Sequence, residues 1–426
     1  MGHITVLGYR RTGRAVVEHC LRSAVDAFVS EARPLPDAER AALTDLGVDF
    51  EDGGHTERCL AACDLLVLSP AVRPDQAIVA EARRRGIPVR SEIELAAERL
   101  GETAIVAVTG TNGKTTTVRL LEALFSVCPG PTTIAGNIGT PLIAVLDAAQ
   151  ASERVVVEVS SYQLALSASF RPRVGVLLNI APDHIDYHGS FAAYAAAKGR
   201  LFCRQGEGDC AVVPHALRHV PPPEAGPRVV HLDEQPLPGP WERELAPHNA
   251  ENLRAAVAAC RALEPELDLE RIPVDSLRDA ISAPHRMEPV GAVDGVHVIN
   301  DSKATNAAST CAALAGVTSP KVLLLGGRHK IEGYESLADT IPRSAVRHVV
   351  LFGEAAPFLD RLLEAAGVTR RTRCETLEKA IVAGLAAARP GDCLLLSPAC
   401  ASFDQFSDYE ERGATFVELL RRRGMR

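Results

Sequence analysis

The sequence predicts an α/β protein with three domains, each built around a mostly parallel β-sheet. Short apolar segments alternate with charged amphipathic segments along almost the whole chain, which is the pattern of doubly wound domains. A length of 426 residues corresponds to about three domains of ordinary size. The expected domains are a Rossmann-like N-terminal domain over 1–97, a central P-loop-type domain over 98–283 and a Rossmann-like C-terminal domain over 284–426.

Composition and charge indicate a cytoplasmic protein without a membrane or nucleic-acid partner. The apolar fraction is 46%, no apolar run reaches the roughly 18 residues of a membrane span, and the N-terminal segment does not resemble a signal peptide. The 11 cysteines are scattered without a C-x-x-C pair, which is typical of reduced thiols. A net charge of −8, with one Trp and six Tyr, argues against nucleic-acid binding.

The first domain is expected to bind a diphosphate at the turn after its first strand. That turn reads Gly8-Tyr9-Arg10-Arg11-Thr12-Gly13, so an arginine replaces the middle glycine of the dinucleotide fingerprint. The replacement argues against an NAD site, because the backbone must approach a dinucleotide pyrophosphate there. Arg10, Arg11 and Thr12 are candidate donors to a different diphosphate, and an ordinary strand–helix connection with two solvated arginines stays open as the alternative.

The second domain opens with a segment that has the composition of a phosphate-binding loop. The strict P-loop pattern fails, because Val108 stands where that pattern requires its first glycine. Residues 110–115, Gly-Thr-Asn-Gly-Lys-Thr, nevertheless follow an apolar strand and open a helix. Free amides in a tight turn and a helix N-terminus bind phosphate, so ATP or another triphosphate is expected, with Lys114 on the β/γ oxygens and Thr115 on Mg²⁺. The alternative is a glycine turn with a threonine cap.

Polar residues at the ends of the next strands suggest metal-assisted chemistry. Glu158 stands inside an apolar strand, where a carboxylate is costly without a partner. The functional interpretation is a metal ligand, and the alternatives are a salt bridge or a strand end that emerges into water. The next strand is followed by Asp183, His184, Asp186 and His188. Lys198 has the appearance of an ordinary surface lysine, and Asn249 that of a helix N-cap.

Several segments in a fixed order resemble the Mur ligase family. They span 110–406 and read GTNGKTTT, EVSSYQL, NIAPDHIDYHGS, PHNAENLRAAVAAC, PHRME, NDSKATN, LLLGGRHK and LLSPACASFDQF. The resemblance implies an ATP-dependent amide ligase of cytoplasmic peptidoglycan precursor synthesis. NDSKATN and SPACASFDQF resemble the member that adds D-glutamate to UDP-N-acetylmuramoyl-L-alanine through an acyl phosphate. The resemblance further implies a monomer with UDP-N-acetylmuramoyl-L-alanine, D-glutamate and ATP as partners.

The resemblance also implies roles for individual residues. The expected catalytic residues are Lys114, His184 and Lys198. ATP would be bound by Gly110, Thr111, Asn112, Gly113, Lys114, Thr115, Thr116, Asn249, Asn252, Arg286 and Asp301. Two Mg²⁺ ions are expected, one on Thr115 and Glu158 and one on His184 and a carbamylated Lys198. Closure of the third domain onto the nucleotide would complete the site.

The two other substrates have their own implied residues. The UDP-substrate would contact Arg11, Thr12, Ser69, Asn137 and Ser160. Glutamate would contact Thr305, Lys330, Ser402 and Tyr409, although family members commonly have phenylalanine at the last position. Three alternatives stay open: a related ligase with L-glutamate specificity, a folylpolyglutamate-synthase-like ligase, and a nucleotide-dependent binding module without turnover. Folylpolyglutamate-synthase-like ligases usually have GTNGKGS in their phosphate loop, whereas Thr116 follows Thr115 here.

Overall fold

The computed structural model describes residues 2–70, 72–137, 139–220, 226–237, 241, 245–329 and 333–425. They contain three β-sheets with helices between the strands, which confirms the α/β fold class. The chain divides into two compact units, and the first holds Met1–Asn179, Ala192–Pro238 and Glu251–Ile272. The second unit holds Ile180–Phe191, Gly239–Ala250 and Pro273–Arg426. The boundaries between three domains stay a prediction.

The N-terminal sheet belongs to the first unit and is entirely parallel, with the order β3-β2-β1-β4-β5. Its strands are β1 His3–Leu7, β2 Asp26–Glu31, β3 Asp49–Asp52, β4 Leu65–Leu68 and β5 Val89–Ser91. The helices are α1 Arg11–Arg22, α2 Asp37–Asp45, α3 Ala77–Arg84 and α4 Glu92–Ala97. The order reverses between β1 and β4, so the carboxyl ends of these two strands flank the crevice where ligands bind in open α/β sheets.

The central sheet also belongs to the first unit and is parallel, with the order β11-β10-β9-β6-β8-β7. Its strands are β6 Ala104–Thr109, β7 Thr132–Gly136, β8 Arg154–Glu158, β9 Val174–Leu177, β10 Cys210–Val213 and β11 Arg228–His231. The helices in this part of the sequence are α5 Lys114–Phe125, α6 Leu146–Gln150, α7 Ser161–Ala165, α8 Ile185–His188, α9 Phe191–Gly199 and α10 Pro247–Leu263. Because β6 lies between β8 and β9, polar residues after these three strands meet at one edge.

The C-terminal sheet belongs to the second unit and has the order β12-β13-β17-β14-β15-β16. Its strands are β12 Glu288–Val293, β13 Val296–Asn300, β14 Lys321–Gly326, β15 Val346–Phe352, β16 Arg371–Cys374 and β17 Cys393–Ala399. The helices are α11 Val274–Ile281, α12 Ala307–Gly316, α13 Glu335–Thr340, α14 Ala356–Ala365, α15 Leu377–Ala387 and α16 Tyr409–Arg421. Strand β12 pairs antiparallel with β13, so this sheet is mixed. Among the described residues, no helix has both the length and the apolar character that crossing a membrane requires.

Candidate active site

The phosphate loop connects β6 to α5 and depends on a glycine at its last position. Gly113 caps α5 with a positive φ of 90°, a conformation that a side chain disfavours. A Cβ at this position would lie 2.3 Å from Oδ1 of the buried Asn252, so space also excludes a larger residue. Asn252 therefore packs directly against the loop, and Thr116 is buried in the first turn of α5.

Asn179 fixes the backbone of the phosphate loop, a role that the sequence did not indicate. Its Oδ1 accepts a hydrogen bond from the Asn112 amide at 2.9 Å, and its Nδ2 donates to the Asn112 carbonyl at 3.1 Å. Its own carbonyl accepts from the Thr111 amide at 3.0 Å. The hydroxyls of Thr111 and Tyr194 lie 2.9 Å apart. The loop is therefore anchored from β9 and α9 on both sides.

Replacing Asn179 with alanine is expected to raise KM for ATP about 30-fold, because the peptide groups of Asn112 lose two hydrogen bonds worth about 1 kcal/mol each. Asn179→Asp keeps the acceptor for the Asn112 amide and loses the donor, so an intermediate KM is expected. Steady-state kinetics with ATP as the varied substrate measures both effects. An unchanged KM in the alanine variant would show that the hydrogen bonds between Asn179 and Asn112 do not contribute to nucleotide binding.

Two lysines converge on the same carbonyl of the phosphate loop. Lys114 donates to the carbonyls of Gly110 and Thr111 at 2.9 and 3.0 Å. Lys198 donates to the Gly110 carbonyl at 2.8 Å and lies 4.8 Å from the centre of the Tyr194 ring. The interpretation of Lys198 as a surface lysine is wrong, since its side chain is only 2% exposed. Two lysine nitrogens that donate hydrogen bonds at one loop favour a polyanion there.

Glu158 lies at the end of β8 and faces the phosphate loop. Its carboxylate accepts hydrogen bonds from the Thr115 hydroxyl at 3.0 Å and from Nδ2 of Asn137 at 3.1 Å. The carboxylate is buried, so the alternative of a strand end in water is wrong. A carboxylate beside a hydroxyl offers hard oxygen donors, which fit Mg²⁺. The structure thus brings together the two residues predicted to share one ion.

His184 and Asp183 lie in the second unit, at the start of α8. His184 has a positive φ of 55°, and its amide donates to Oδ1 of Asp183 at 2.9 Å. The other oxygen of Asp183 accepts from Nδ2 of Asn306 at 3.2 Å. The buried Asp183 therefore orients His184 and connects it to the segment before α12. Lys198, the predicted partner of His184, belongs to the first unit.

A further group of potential metal ligands lies beyond β10 and β11 of the central sheet. His215, His231 and Glu234 offer ligand atoms within 4.8 Å of one another. Strands β10 and β11 bring the two histidines together, because Val213 pairs with His231. None of the three is among the residues predicted to hold magnesium, and imidazole is a common ligand of transition metals.

An open cavity of about 430 Å³ lies in the first unit, beside the turn after β1. It is lined by Gly8, Arg10, Arg11, Thr12, Glu31, Ala32, Arg33, His55, Ser69, Pro70, Val72, Gln76, Asn137 and Gln163. Four of the five residues predicted to contact the UDP-substrate therefore line one cavity. The fifth, Ser160, caps α7, where its hydroxyl donates to Oε1 of Gln163 at 2.9 Å and accepts from the Gln163 amide.

The cavity wall carries more positive than negative side chains. The lining residues of the cavity include three guanidinium groups and a single carboxylate. The guanidinium groups are those of Arg10, Arg11 and Arg33, and the carboxylate is that of Glu31. Arg11 also donates to the carbonyl of Asn137 at 2.9 Å, which connects the first turn of α1 to the loop after β7. An excess of guanidinium groups at a helix N-terminus favours a phosphate-bearing ligand.

A buried carboxyl group lies at the start of α4. Glu92, at the start of α4, accepts a hydrogen bond from the Ile143 amide at 2.7 Å. Burial raises the pKa of Glu92 to about 7, although hydrogen bonds from the Ile143 and Leu142 amides and the Gln163 side chain oppose the rise. The carboxyl group of Glu92 therefore connects the start of α4 to the backbone at Ile143.

We expect Glu92→Gln to change how stability depends on pH. Glu92 stays protonated in the folded protein up to about pH 7, whereas it ionises near 4.5 when unfolded. The free energy of unfolding of the wild type should therefore fall by about 3 kcal/mol relative to that of the variant as pH rises from 4.5 to 7. Above that range the difference should not change further. Urea unfolding of both proteins at pH 4.5, 6 and 8 measures the difference. A constant difference across this range would contradict the raised pKa.

Asp301 and Arg286 lie close to one another in the second unit. Asp301 is buried and accepts hydrogen bonds from the Ser397 hydroxyl at 2.7 Å and the Met287 amide at 3.1 Å. Burial raises the pKa of Asp301 to about 7, and the nearby Arg286 opposes this rise. His285 and Met287 both have positive φ angles, of 61° and 44°, so the segment that presents Arg286 is strained.

Asn249 is not the N-cap of its helix. Helix α10 begins at Pro247, and the Asn249 amide donates to the carbonyl of Ala246 at 2.8 Å. The side chain therefore lies in the first turn of the helix. The pKa of the neighbouring His248 is lowered by burial and by the charge of Arg286. The charge of Arg286 thus acts on the residue that precedes Asn249.

The predicted glutamate residues lie at the ends of β13 and β17 and at the start of α16. The Tyr409 carbonyl accepts a hydrogen bond from the Ser302 hydroxyl at 2.8 Å. The centre of the Tyr409 ring lies 5.6 Å from Nζ of Lys303. The Thr305 amide donates to the Lys303 carbonyl at 2.9 Å, and Ser402 is buried. Lys330 lies outside the described residues.

The sequence did not single out Arg412, which joins the segments around this group. Its side chain is fully buried and donates to the Ser302 hydroxyl and carbonyl at 2.9 and 2.8 Å. It also donates to the Cys400 carbonyl at 3.0 Å. Burial lowers the pKa of Arg412 to about 10, so it remains charged at neutral pH. One guanidinium therefore fixes the loop after β13 relative to the loop after β17.

Comparisons with known protein families cover most of the chain. Residues 3–78 match the MurD N-terminal domain, residues 108–220 match the Mur ligase middle domain, and residues 285–400 match the Mur ligase glutamate ligase domain. The chain is 41% identical to the UDP-N-acetylmuramoylalanine–D-glutamate ligase of Salinibacter ruber, covering 98% of this chain and 97% of that protein. It is 37% identical to the ligase of the same name from Pelotomaculum thermopropionicum, with the same coverage.

Solved structures show the same fold at lower identity. The MurF ligase of Thermotoga maritima, in complex with ADP, matches with a TM-score of 0.60 and 16% identity over 93% of this chain and 96% of that chain. The UDP-N-acetylmuramate-alanine ligase MurC of the same organism matches with a TM-score of 0.56 and 18% identity over 99% of both chains. At these identities the likeness concerns the fold.

Proposed function

The chain belongs to the Mur ligase family, and from that premise we propose that it adds D-glutamate to UDP-N-acetylmuramoyl-L-alanine with ATP. The observation that carries the proposal is 41% identity, over nearly the full length of both proteins, to a ligase named for this reaction. The N-terminal match supports the same member of the family, because it is to the MurD N-terminal domain. We place the reaction in the cytoplasm, where ATP and nucleotide-linked sugars are made, and propose a monomer.

The reaction has two steps in this proposal. The carboxylate of the alanyl group attacks the γ-phosphorus of ATP, an O–P bond forms, and ADP leaves. The amine of D-glutamate then attacks the acyl carbon, loses a proton and forms the amide, and inorganic phosphate leaves. Phosphoryl transfer depends mainly on positioning and charge neutralisation, so the residues around the phosphate loop should contribute most of the rate.

The phosphate loop supplies the positioning for the first step. Its amides and the N-terminus of α5 would bind the β- and γ-phosphates, and Lys114 would neutralise charge on the γ-phosphate. The ammonium already lies within the loop, where it donates to two carbonyls, so a short movement would bring it to a bound phosphate. The remaining ATP contacts in this proposal are Asn249, Asn252, Arg286 and Asp301.

Thr115 and Glu158 would hold one Mg²⁺, because their oxygens lie side by side and suit that ion. Mg²⁺ supplies charge neutralisation and alignment of the β- and γ-phosphate oxygens when it is bound. Glu158 is held on its other oxygen by Asn137, which lines the cavity proposed for the UDP-substrate. A single carboxylate thereby connects the nucleotide loop to the substrate cavity.

Lys198 and His184 would hold a second Mg²⁺, provided that Lys198 is carbamylated. Carbamylation converts a neutral amine into an anion with two oxygens, which are suitable ligands for this ion. Burial supports the proposal, because it favours the neutral amine that must react with CO₂. The amine would donate its hydrogen bond to Gly110 before modification.

Glutamate would bind at Thr305, Lys330, Ser402 and Tyr409. Its two carboxylates require cations and hydrogen-bond donors, and hydroxyls and an ammonium provide them. Tyr409 adds a hydroxyl where phenylalanine is common, and this hydroxyl would donate to a glutamate carboxylate. We propose the D-enantiomer as substrate, in agreement with the names of the relatives.

Phosphate release from ATP tests the coupling of the two steps. We expect release at the full rate only when both UDP-N-acetylmuramoyl-L-alanine and D-glutamate are present with Mg²⁺. Omission of either substrate should reduce release at least tenfold. Equal release from ATP alone would indicate a simple ATPase and contradict the proposed ligase.

A further inference from the structure

Two histidines lie side by side where β10 and β11 end. His215 begins a short 3-10 turn just after β10, and His231 is the last residue of β11. The parallel register pairs Val213 with His231, so the chain that continues beyond Val213 carries His215 to the same edge of the sheet. The centres of the two imidazole rings lie 4.9 Å apart, with the ring planes at 65°.

A second 3-10 turn adds a carboxylate to the two rings. It spans Leu232–Glu234 directly after His231, and the buried side chain of Leu232 anchors it. Side chains three residues apart lie on one side of a 3-10 helix, which favours an approach of Glu234 to His231. One ligand atom from each of His215, His231 and Glu234 consequently lies within 4.8 Å of the other two.

Hydrogen bonds to the backbone hold the two turns together. The His215 amide donates to both oxygens of the Asp233 carboxylate, at 3.0 and 3.2 Å. The Gln235 side chain donates to the His231 carbonyl at 3.2 Å. Nδ1 of His231 and the carboxylate of Glu234 form no hydrogen bond with the described residues. The backbone is therefore held in place, and a cation would not displace a protein partner from these two groups.

The types of ligand indicate the class of metal. Imidazole nitrogens with a carboxylate oxygen are characteristic ligands of Zn²⁺ and similar transition metals, whereas Mg²⁺ prefers oxygen alone. In a tetrahedral zinc site the ligand atoms lie about 3.4 Å apart, so the side chains would have to approach one another by at most about 1.4 Å. His215 and Glu234 are exposed, so small rotations of their side chains can supply this movement.

We propose that His215, His231 and Glu234 bind one divalent transition-metal ion of the zinc class. The ion joins the turn after β10 to the end of the edge strand β11 and thereby stabilises this side of the central sheet. Strands β10 and β11 are two and three strands away from β6, about 10–15 Å at ordinary spacing. The site is therefore separate from the phosphate loop and does not depend on the ligase reaction.

Arg218 modulates the affinity of this site. Its Nη1 donates to the His215 carbonyl at 3.1 Å and lies 3.5 Å from Nδ1 of the same residue. The guanidinium charge opposes a bound cation, whereas the carboxylates of Asp233 and Glu234 favour it. Arg218→Ala should therefore bind Zn²⁺ about threefold more tightly than the wild type, the size of one exposed charge interaction.

Calorimetric titration with Zn²⁺ in a buffer with saturating Mg²⁺ tests the proposal, because Mg²⁺ then occupies the sites predicted to hold it. The wild type is expected to bind one Zn²⁺. His215→Ala and Glu234→Gln should each weaken that binding at least about tenfold, since even the partners of metal ligands contribute that much. His297→Ala, which changes an exposed histidine on β13 of the second unit, should bind as the wild type does.

Thermal unfolding supplies a second measurement. Zn²⁺ at about 100 times its Kd should raise the melting temperature of the wild type and of His297→Ala by several degrees, and that of the two ligand variants by much less. Melting curves without metal verify that the variants fold. Binding of wild-type strength in both ligand variants would place the ion elsewhere and overturn the proposal. The same holds if the wild type binds no Zn²⁺ in the presence of Mg²⁺.

Discussion

Replacing Glu158 with glutamine is expected to lower kcat about 100- to 1000-fold, the range for loss of one group that stabilises developing charge. The amide retains the size of the side chain and its hydrogen bond from Thr115 or Asn137, but not the negative charge. Mg²⁺ should consequently bind more weakly, so the Mg²⁺ concentration for half-maximal rate should increase. Initial rates measured across a Mg²⁺ titration give both quantities.

A matched control for this variant lies next to the same strand. Glu153 is exposed and directly precedes β8, and Glu153→Gln makes the same chemical change away from the phosphate loop. That variant should behave as the wild type. If Glu158→Gln kept the wild-type kcat and Mg²⁺ dependence, the carboxylate would not be a ligand and the proposed first ion site would be wrong.

Both Lys198→Ala and Lys198→Arg are expected to lower kcat about 1000-fold. Alanine removes the amine, and arginine keeps a positive charge but cannot be carbamylated. A simple requirement for a cation would predict that arginine restores activity, so the pair of variants separates the two roles. Lys379→Arg, at an exposed lysine, serves as the matched control and should remain fully active. Equal melting temperatures would show that the losses do not come from unfolding.

The carbamate itself can be detected without an activity measurement. Protein equilibrated with ¹³C-bicarbonate should show a carbamate carbon resonance in the wild type and in Lys379→Arg, and none in Lys198→Arg. Full turnover by Lys198→Arg, or a carbamate resonance that persists in it, would contradict the assignment to Lys198.

The sequence predicted the parts of the site that depend on local pattern. Gly113, Lys114 and Thr115 follow an apolar strand and open a helix, and this order alone indicates phosphate binding. The same holds for Arg11 and Thr12 after β1. The structure places each of these segments between a strand and a helix, as expected. Strand β3 was not predicted, because its sequence Asp-Phe-Glu-Asp has little apolar character and lies at the edge of the sheet.

The sequence could not predict residues whose role comes from contacts across the chain. Asn179 contacts Asn112, which is 67 positions away, and Lys198 contacts Gly110 over 88 positions. No local pattern distinguishes either side chain from an ordinary loop asparagine or helix lysine. Such residues are recognised by burial and hydrogen bonding, which require the folded chain.

The central claim is that this protein forms an amide between glutamate and a nucleotide-linked muramoyl acid at the expense of ATP. Mass spectrometry of a reaction with UDP-N-acetylmuramoyl-L-alanine, ATP, Mg²⁺ and either D- or L-glutamate tests it most directly. We predict a product heavier than the nucleotide sugar by one glutamyl residue with the D-enantiomer, formed together with ADP. Absence of that product with both enantiomers would contradict the claim, and a product with L-glutamate alone would contradict the proposed specificity.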